Sequence, residues 1–291
     1  MSQAATPRRS RVPWALAVTV GLCSGLAGYV IHAARVNRVP KQVVRVKRLT
    51  DMPGSEESPA ISSDGKSVAF VAMSGGRRQL WVVRVDGGSP QAVTKDDADH
   101  YGPRWSADSN DLIYFANNSI WEIPAVGGEV RKMADALVPA DVSHSDDKTL
   151  VFFRRSGEDV ELVADGVAIV KLTGGGTYSN LRRSPDDKKI AYLRDQNVMV
   201  VSASGGEPVQ ASDVPVQGFT WAPDNSGLIV STGGELWFVP RVEGRAPSQL
   251  TFGELSYESP DMSPRGTLVV SRRGLATGTD ADIVMFSGLK W

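Results

Sequence analysis

One cysteine, Cys23, and three histidines, His32, His100 and His144, are all that 291 residues offer of those two side chains. A single cysteine excludes an intrachain disulfide and any Cys-x-x-Cys metal or redox motif. The catalytic motifs that announce themselves in sequence are also missing. There is no His-Glu-x-x-His and no Gly-x-Ser-x-Gly, and Gly65-Lys66-Ser67 is not a phosphate loop, because Ala60 stands where the first glycine must be. Gly174-Gly175-Gly176 follows Leu172-Thr173 as a turn and opens no helix. Basic residues are outnumbered past residue 50: nine of the 32 lysines and arginines, and none of the 33 acidic residues, lie in the first 50 positions. The remainder is therefore acidic by ten charges, which argues against a nucleic-acid partner, since phosphate contacts need a basic face. No cofactor motif is present.

Long apolar runs are absent too, with one exception. Trp14 to Ala34 is an uncharged, mostly apolar stretch of 21 residues. As a helix it would span about 31 Å, the thickness of a hydrocarbon core. Arg8, Arg9 and Arg11 precede it, so the alternative is a cleaved signal peptide. The run is long for a signal core and ends in Ile31-His32-Ala33-Ala34 without a clean small-x-small site, and Leu22 before Cys23 disfavours lipidation. The expectation is a basic tail over 1–13, a signal-anchor helix over 14–34 with His32 at the interface, and a linker over 35–42. Charge counting around the segment favours the C-terminal side as cytoplasmic, but long folded domains translocate largely regardless of charge.

What the chain has in quantity is repetition. An Asp-centred turn before a short β-branched or aromatic run returns six times, with Asp64, Asp108, Asp146, Asp186, Asp224 and Arg265 at the turn position, spaced 44, 38, 40, 38 and 41 residues apart. Each run is followed by a second strand ending in glycine, such as Gln79 to Val83 before Gly87-Gly88 and Ser119 to Ile123 before Gly127-Gly128. A third series ends in Leu-Thr or a relative, as at Val93-Thr94, Leu172-Thr173 and Leu250-Thr251. A period near 40 with several strands per unit and no room for a helix is the signature of propeller blades. The 29 glycines are what so many tight turns need. The sixth copy of the third series is missing after the last blade and present at the start, in Val43 to Thr50. Pairing of that segment with Asp282 to Ser287 would close the ring and leave no long unpaired edge. The fold predicted is all-β, a six-bladed β-propeller over 43–291 closed by the N-terminal strand and preceded by one transmembrane helix.

The run Glu57-Ser58-Pro59, then Ser-x-Asp-Gly-Lys at 62–66, an apolar run, Leu80-Trp81, Asp86-Gly87-Gly88 and Thr94 resembles the TolB-type, WD-like propeller repeat of bacterial envelope and sensory proteins. Blade three matches least, with Glu161 where Trp81 and Trp121 stand in their blades. The resemblance implies a propeller outside the cytoplasmic membrane, here a single-pass inner-membrane protein with a periplasmic propeller. It also implies a protein partner in the envelope.

In a propeller the first strand of each blade lines the central channel, so the residues leading into it should ring one mouth. Glu57, His100, Tyr101, Tyr178, Tyr257 and Glu258 are the candidate ligand-binding residues there, joined by Glu56. Carboxylates, tyrosines and a histidine on an apolar wall suit a peptide end, a cation or a sugar. The alternative is that the tyrosines pack between blades and the carboxylates are solvated. Asp96, Asp97, Asp99 and His100 have donor types that could hold a metal, but the pattern reads as a solvated loop between blades. The function expected is non-enzymatic binding of an envelope protein or small ligand. The rival is a metal-dependent, lactonase-like hydrolase using Glu57, His100 and Glu258 in the channel.

Overall fold

A computed structural model describes residues 44–142, 149–212, 214–241, 246–274 and 280–289. The expected anchor over 14–34 and His144 lie outside the described residues. Among these residues there is no helix long and apolar enough to cross a membrane, and the strands form six four-stranded antiparallel sheets. Blade one comprises Glu56–Ile61, Ser67–Ser74, Arg77–Arg84 and Gln91–Ala92. Blade two comprises Tyr101–Trp105, Asp111–Ala116, Ser119–Pro124 and Arg131–Asp135. Blade three runs Asp141–Val142, Leu150–Ser156, Asp159–Ala164 and Val167–Leu172, and blade four Tyr178–Arg183, Lys189–Arg194, Asn197–Ser202 and Val209–Gln210. Blade five is Gly218–Trp221, Gly227–Thr232, Glu235–Pro240 and Ser248–Gln249. The sixth takes Leu255–Met262, Leu268–Gly274 and Ala281–Ser287 from the end of the chain and its outer strand, Arg45–Arg48, from the beginning. The closing register is Arg45 with Ser287 through Arg48 with Val284. The first strands touch their neighbours in a ring that closes between blades six and one.

The recurring residues have local jobs. In the turn after each first strand, Ser62, Ser106 and Ser184 donate to Asp64, Asp108 and Asp186 at 2.6–2.7 Å, and the same serine oxygens accept the amide of the residue that starts the next strand. The aspartates also accept the amides of Lys66, Asn110 and Lys188. These Asx turns hold the hairpin closed, and the serine hydroxyl is the largest cause lowering the Asp64 and Asp186 carboxyls below their ordinary range. The threonine of the third series accepts the amide of the neighbouring third strand: Thr94 from Leu80, Thr251 from Leu236, and Ser212, in the same role, from Val198. Thr50 does the same for Ile283 at 2.8 Å, so the N-terminal copy reproduces in blade six the contact its relatives make.

Alternation along the strands sends one face of each blade into the next, and the apolar core is divided accordingly into six clusters, one at each junction. Phe70 and Val269 meet between blades one and six, and Leu80 and Leu112 between one and two. Each fully buried side chain of this kind is worth about 1.5–3 kcal/mol. In blade three, Glu161 replaces the tryptophan of its counterparts and pairs with Arg154 across the hairpin at 2.7 Å.

Between blades three and four Tyr192 is fully buried against Phe153 and Tyr178, and its hydroxyl has no hydrogen-bond partner among the described residues. Burial pushes its phenol up to about 12. An unsatisfied buried hydroxyl costs more than it returns, so Tyr192→Phe is expected to raise unfolding stability by about 1 kcal/mol. Chemical denaturation reads the change, and a loss of stability would show the hydroxyl to be bonded.

Candidate functional site: the central channel

The geometry of the channel is set by a bulge that recurs in the first strands. Pairing slips after Glu57, Tyr101, Ser179 and Glu258, and in each case the following residue, Ser58, Gly102, Asn180 or Ser259, has a left-handed backbone (φ 51°, 53°, 47° and 50°). A bulge adds one residue to a strand and re-aims the side chains beyond it. Gly102 has a second constraint: a Cβ there would lie 2.6 Å from Pro139 Cβ of the next blade.

Before the bulge the two leading residues part company. Glu56, His100, Tyr178 and Tyr257 are buried. Tyr178 stacks at 5.0 Å on Phe153 and donates to the Gly175 carbonyl, while Tyr257 meets Phe286 edge-on at 5.6 Å and burial raises its phenol. The His100 ring lies 5.0 Å from Tyr114, its Nδ1 donates to the Arg78 carbonyl at 3.0 Å, and its Nε2 is 3.4 Å from Asp96. Glu56 accepts from the Thr50 hydroxyl and the Met52 amide, both at 2.8 Å, which ties the closing segment to blade one. Burial is the largest cause raising its carboxyl, opposed by those two bonds.

The other leading residues stay near solvent. Glu57 is 3.8 Å from Arg78, whose guanidinium also lies over the Tyr101 ring, and Glu258 is partly exposed. A cavity of about 400 Å³ forms this mouth, with Tyr101, Phe115, Pro139, Asn180 and Gln217 in its wall. Of the six candidate residues only Tyr101 lines it. Asp96 and Asp99 are engaged by the amides of Ala98 and Arg78. Among the described residues no three His, Cys, Asp or Glu side chains are grouped to hold a metal ion, so Glu57, His100 and Glu258 are not brought together.

Beyond the bulge the strands present a row that sequence reasoning passed over: Ala60, Arg104, Asp141, Arg182, Thr220 and Asp261. All six line a second, narrower cavity of about 70 Å³, and Arg104 and Arg182 line the wide mouth as well. These two arginines therefore stand at a waist between the two spaces. The carboxylates opposite each other are held alike. Asp141 Oδ2 accepts the amide of Arg183 at 2.6 Å and Asp261 Oδ2 that of Ile61 at 2.9 Å, each from the next blade. Their other oxygens lie 3.5 Å from Arg104 Nε and 3.8 Å from Arg182 Nε. Two indoles add to the ring: Trp105 Nε1 donates to the Ala60 carbonyl and Trp221 Nε1 to that of Arg182. The available signal was a charged residue repeated four positions after the buried His100, Tyr178 and Tyr257, within strands that are otherwise buried. Arginine is always charged and supplies only donors, and at the waist each guanidinium faces a carboxylate of the same ring and donates to a backbone carbonyl.

No protein-family model matches the chain. An uncharacterized protein of Agrobacterium fabrum is 28% identical over 149 residues, which is 50% of this chain and 42% of that protein, so the chain matches less than half of the relative's length. Among solved structures, a gluconolactonase from Xanthomonas campestris superposes with TM-score 0.62 at 15% identity, covering 84% of this chain and 89% of its own. TolB from Acinetobacter baumannii gives 0.57 at 16%, covering 78% and 65%. An oligogalacturonate lyase from Vibrio parahaemolyticus gives 0.54 at 12%, covering 85% and 94%. Likeness at these identities concerns the fold alone. That fold is a TolB-like six-bladed β-propeller.

Proposed function

We propose that this protein is a non-enzymatic, membrane-anchored propeller of the bacterial envelope, and that the wide mouth of its channel binds a partner protein or small ligand. The observation that carries this is the waist: Arg104 and Arg182 face Asp141 and Asp261, and each of these carboxylates also accepts a backbone amide of the next blade, so the charged groups there are committed to holding the ring of blades together. The mouth above it has the size and mixed polar and apolar wall of a ligand site. A panel of ester, lactone and peptide substrates is expected to show no turnover, with or without added calcium or zinc. Metal-dependent hydrolysis lost on His100→Ala or Glu57→Gln would overturn the proposal in favour of a lactonase-like enzyme.

The anchor is the uncharged stretch over 14–34, with the propeller on the extracytoplasmic side. A helix of that length inserts effectively irreversibly. The full chain should sediment with membranes and resist carbonate extraction. A soluble species beginning near Arg35, detected by intact mass, would show cleavage instead.

A further inference from the structure

A third cavity, of about 400 Å³, lies at the junction of blades one and two and shares no wall residue with the two spaces of the channel. Its wall combines Asp96 and Asp97, from the loop between the blades, with Tyr114, Asn117 and Trp121 of blade two. Phe115 faces the wide mouth and its neighbour Tyr114 faces this cavity, as alternation along a strand requires. The loop is held in place: buried Gln79 donates from Nε2 to the carbonyls of both Asp96 and Ala98, at 2.8 and 3.2 Å, and Asp96 Oδ1 accepts the Ala98 amide. Trp121 is held too, its Nε1 donating to the Ala116 carbonyl at 3.0 Å, so what it offers the cavity is its π system. Tyr114 is only 4% exposed, yet its hydroxyl makes no hydrogen bond among the described residues. Unlike the sealed hydroxyl of Tyr192, it opens into the cavity. Burial, with Asp96 nearby, pushes its phenol up to about 12, so it stays a neutral hydroxyl.

Both ionisable groups on this wall are acids. Asp96 Oδ2 lies 3.4 Å from His100 Nε2, and a doubly protonated His100 would balance it. Asp97 has no ion pair or hydrogen bond among the described residues, so the cavity keeps a carboxylate of its own in either case. Lys132, opposite Trp121 across the hairpin, pairs with Asp135 at 2.7 Å, and Lys95 is exposed and no part of the wall. A metal ion does not fit, since among the described residues no three His, Cys, Asp or Glu side chains are grouped to hold one. An organic cation does. An indole face attracts a cation, a carboxylate accepts its charge-assisted hydrogen bonds, and the lone hydroxyl oxygen accepts a further N–H. A quaternary ammonium has no N–H for that hydroxyl, whereas a primary one has three. We propose that this cavity is a binding site separate from the channel, taking a primary alkylammonium group whose N–H donors meet Asp97, Asp96 and the Tyr114 hydroxyl and whose alkyl chain lies along Trp121. The same group is available from a small amine or from a lysine side chain of a partner protein.

The test is calorimetric titration of the full-length chain in mild detergent with pentylammonium, its neutral counterpart pentanol, methyl glucoside, and a short capped peptide carrying one lysine, free or acetylated. Pentylammonium is expected to bind about tenfold tighter than pentanol, the difference a cation–π and charge-assisted contact supports. Asp97→Asn should remove most of that preference and leave pentanol unchanged. Because Asp97 is exposed and unpaired, the melting temperature of this variant should not move. Tyr114→Phe should weaken pentylammonium severalfold, again without a lower melting temperature, which a hydroxyl bonded within the protein would not allow. Gln217→Ala, in the wide mouth, should change nothing here. If it weakens pentylammonium while Asp97→Asn does not, the ligand sits in the channel, and this site is refuted with the mouth left standing. A preference for the lysine peptide over its acetylated form, lost on Asp97→Asn, would support the same contact with a protein side chain as its source. Equal binding of pentylammonium and pentanol, binding of methyl glucoside in place of the amine, or no binding at all would each overturn the assignment.

Discussion

Excising residues 45–50 from the full chain is expected to unfold the propeller or drive it into aggregates. The deletion removes the outer strand of blade six, four paired residues from Arg45 to Arg48. It also removes the Leu49 amide to the Ile283 carbonyl, the Ile283 amide to the Thr50 hydroxyl, and the hydroxyl's own bond to buried Glu56. At 0.5–1.5 kcal/mol per bond the loss is roughly 5 kcal/mol, comparable with the whole stability of many domains. Glu56 then keeps only the Met52 amide, and Ala281–Ser287 becomes an open edge that templates association with other chains. Size-exclusion chromatography and thermal denaturation read both effects. A monomeric product with an unchanged melting temperature would refute closure by the N-terminal strand as a source of stability.

Asp261→Ala should cost about 3–5 kcal/mol of unfolding stability, the usual result of breaking a buried pair from one side. It strands the Arg182 guanidinium in the channel and leaves the Ile61 amide of the neighbouring blade without its acceptor. The penalty comes mostly from the abandoned charge rather than from the lost attraction. The double substitution Asp261→Ala with Arg182→Leu should therefore recover part of the stability that the single one loses. Urea denaturation of the three variants measures the coupling. If the double variant is as unstable as the two single losses added together, Asp261 acts through its amide bond alone and the pair contributes nothing.

Most of the architecture was legible because a propeller repeats its local chemistry. Ser62, Ser106 and Ser184 each sit two residues before an aspartate for one reason, the Asx turn, and a turn is decided within five residues. The threonine series was legible even where it is displaced: Thr50 stands 44 residues before Thr94, at the other end of the chain from the blade it completes, and still makes the contact that Thr94 makes. Blade number, strand order and the closing strand followed from these local signals. The mouth was less legible. Counting from the turns brought Tyr178 and Tyr257 to the channel rim, but a left-handed residue at Ser58, Gly102, Asn180 and Ser259 shifts the strand by one place. A strand's two faces exchange with a single-residue slip, and a serine or asparagine in a left-handed bulge looks in sequence like any other strand residue.

The sequence by itself determined the all-β class, the six repeats, the turns that separate them and the N-terminal strand that completes the ring, since each depends on neighbours a few residues apart or on a count of copies. Only the tertiary structure decided which side chains meet at the axis. Arg104 and Asp141 are 37 residues apart in the chain and Arg182 and Asp261 are 79, so no local pattern can announce their pairing. It follows from six strands converging on one line, where every fourth residue after the buried position faces its counterparts from the other blades and charges must be matched in a space too narrow for much water.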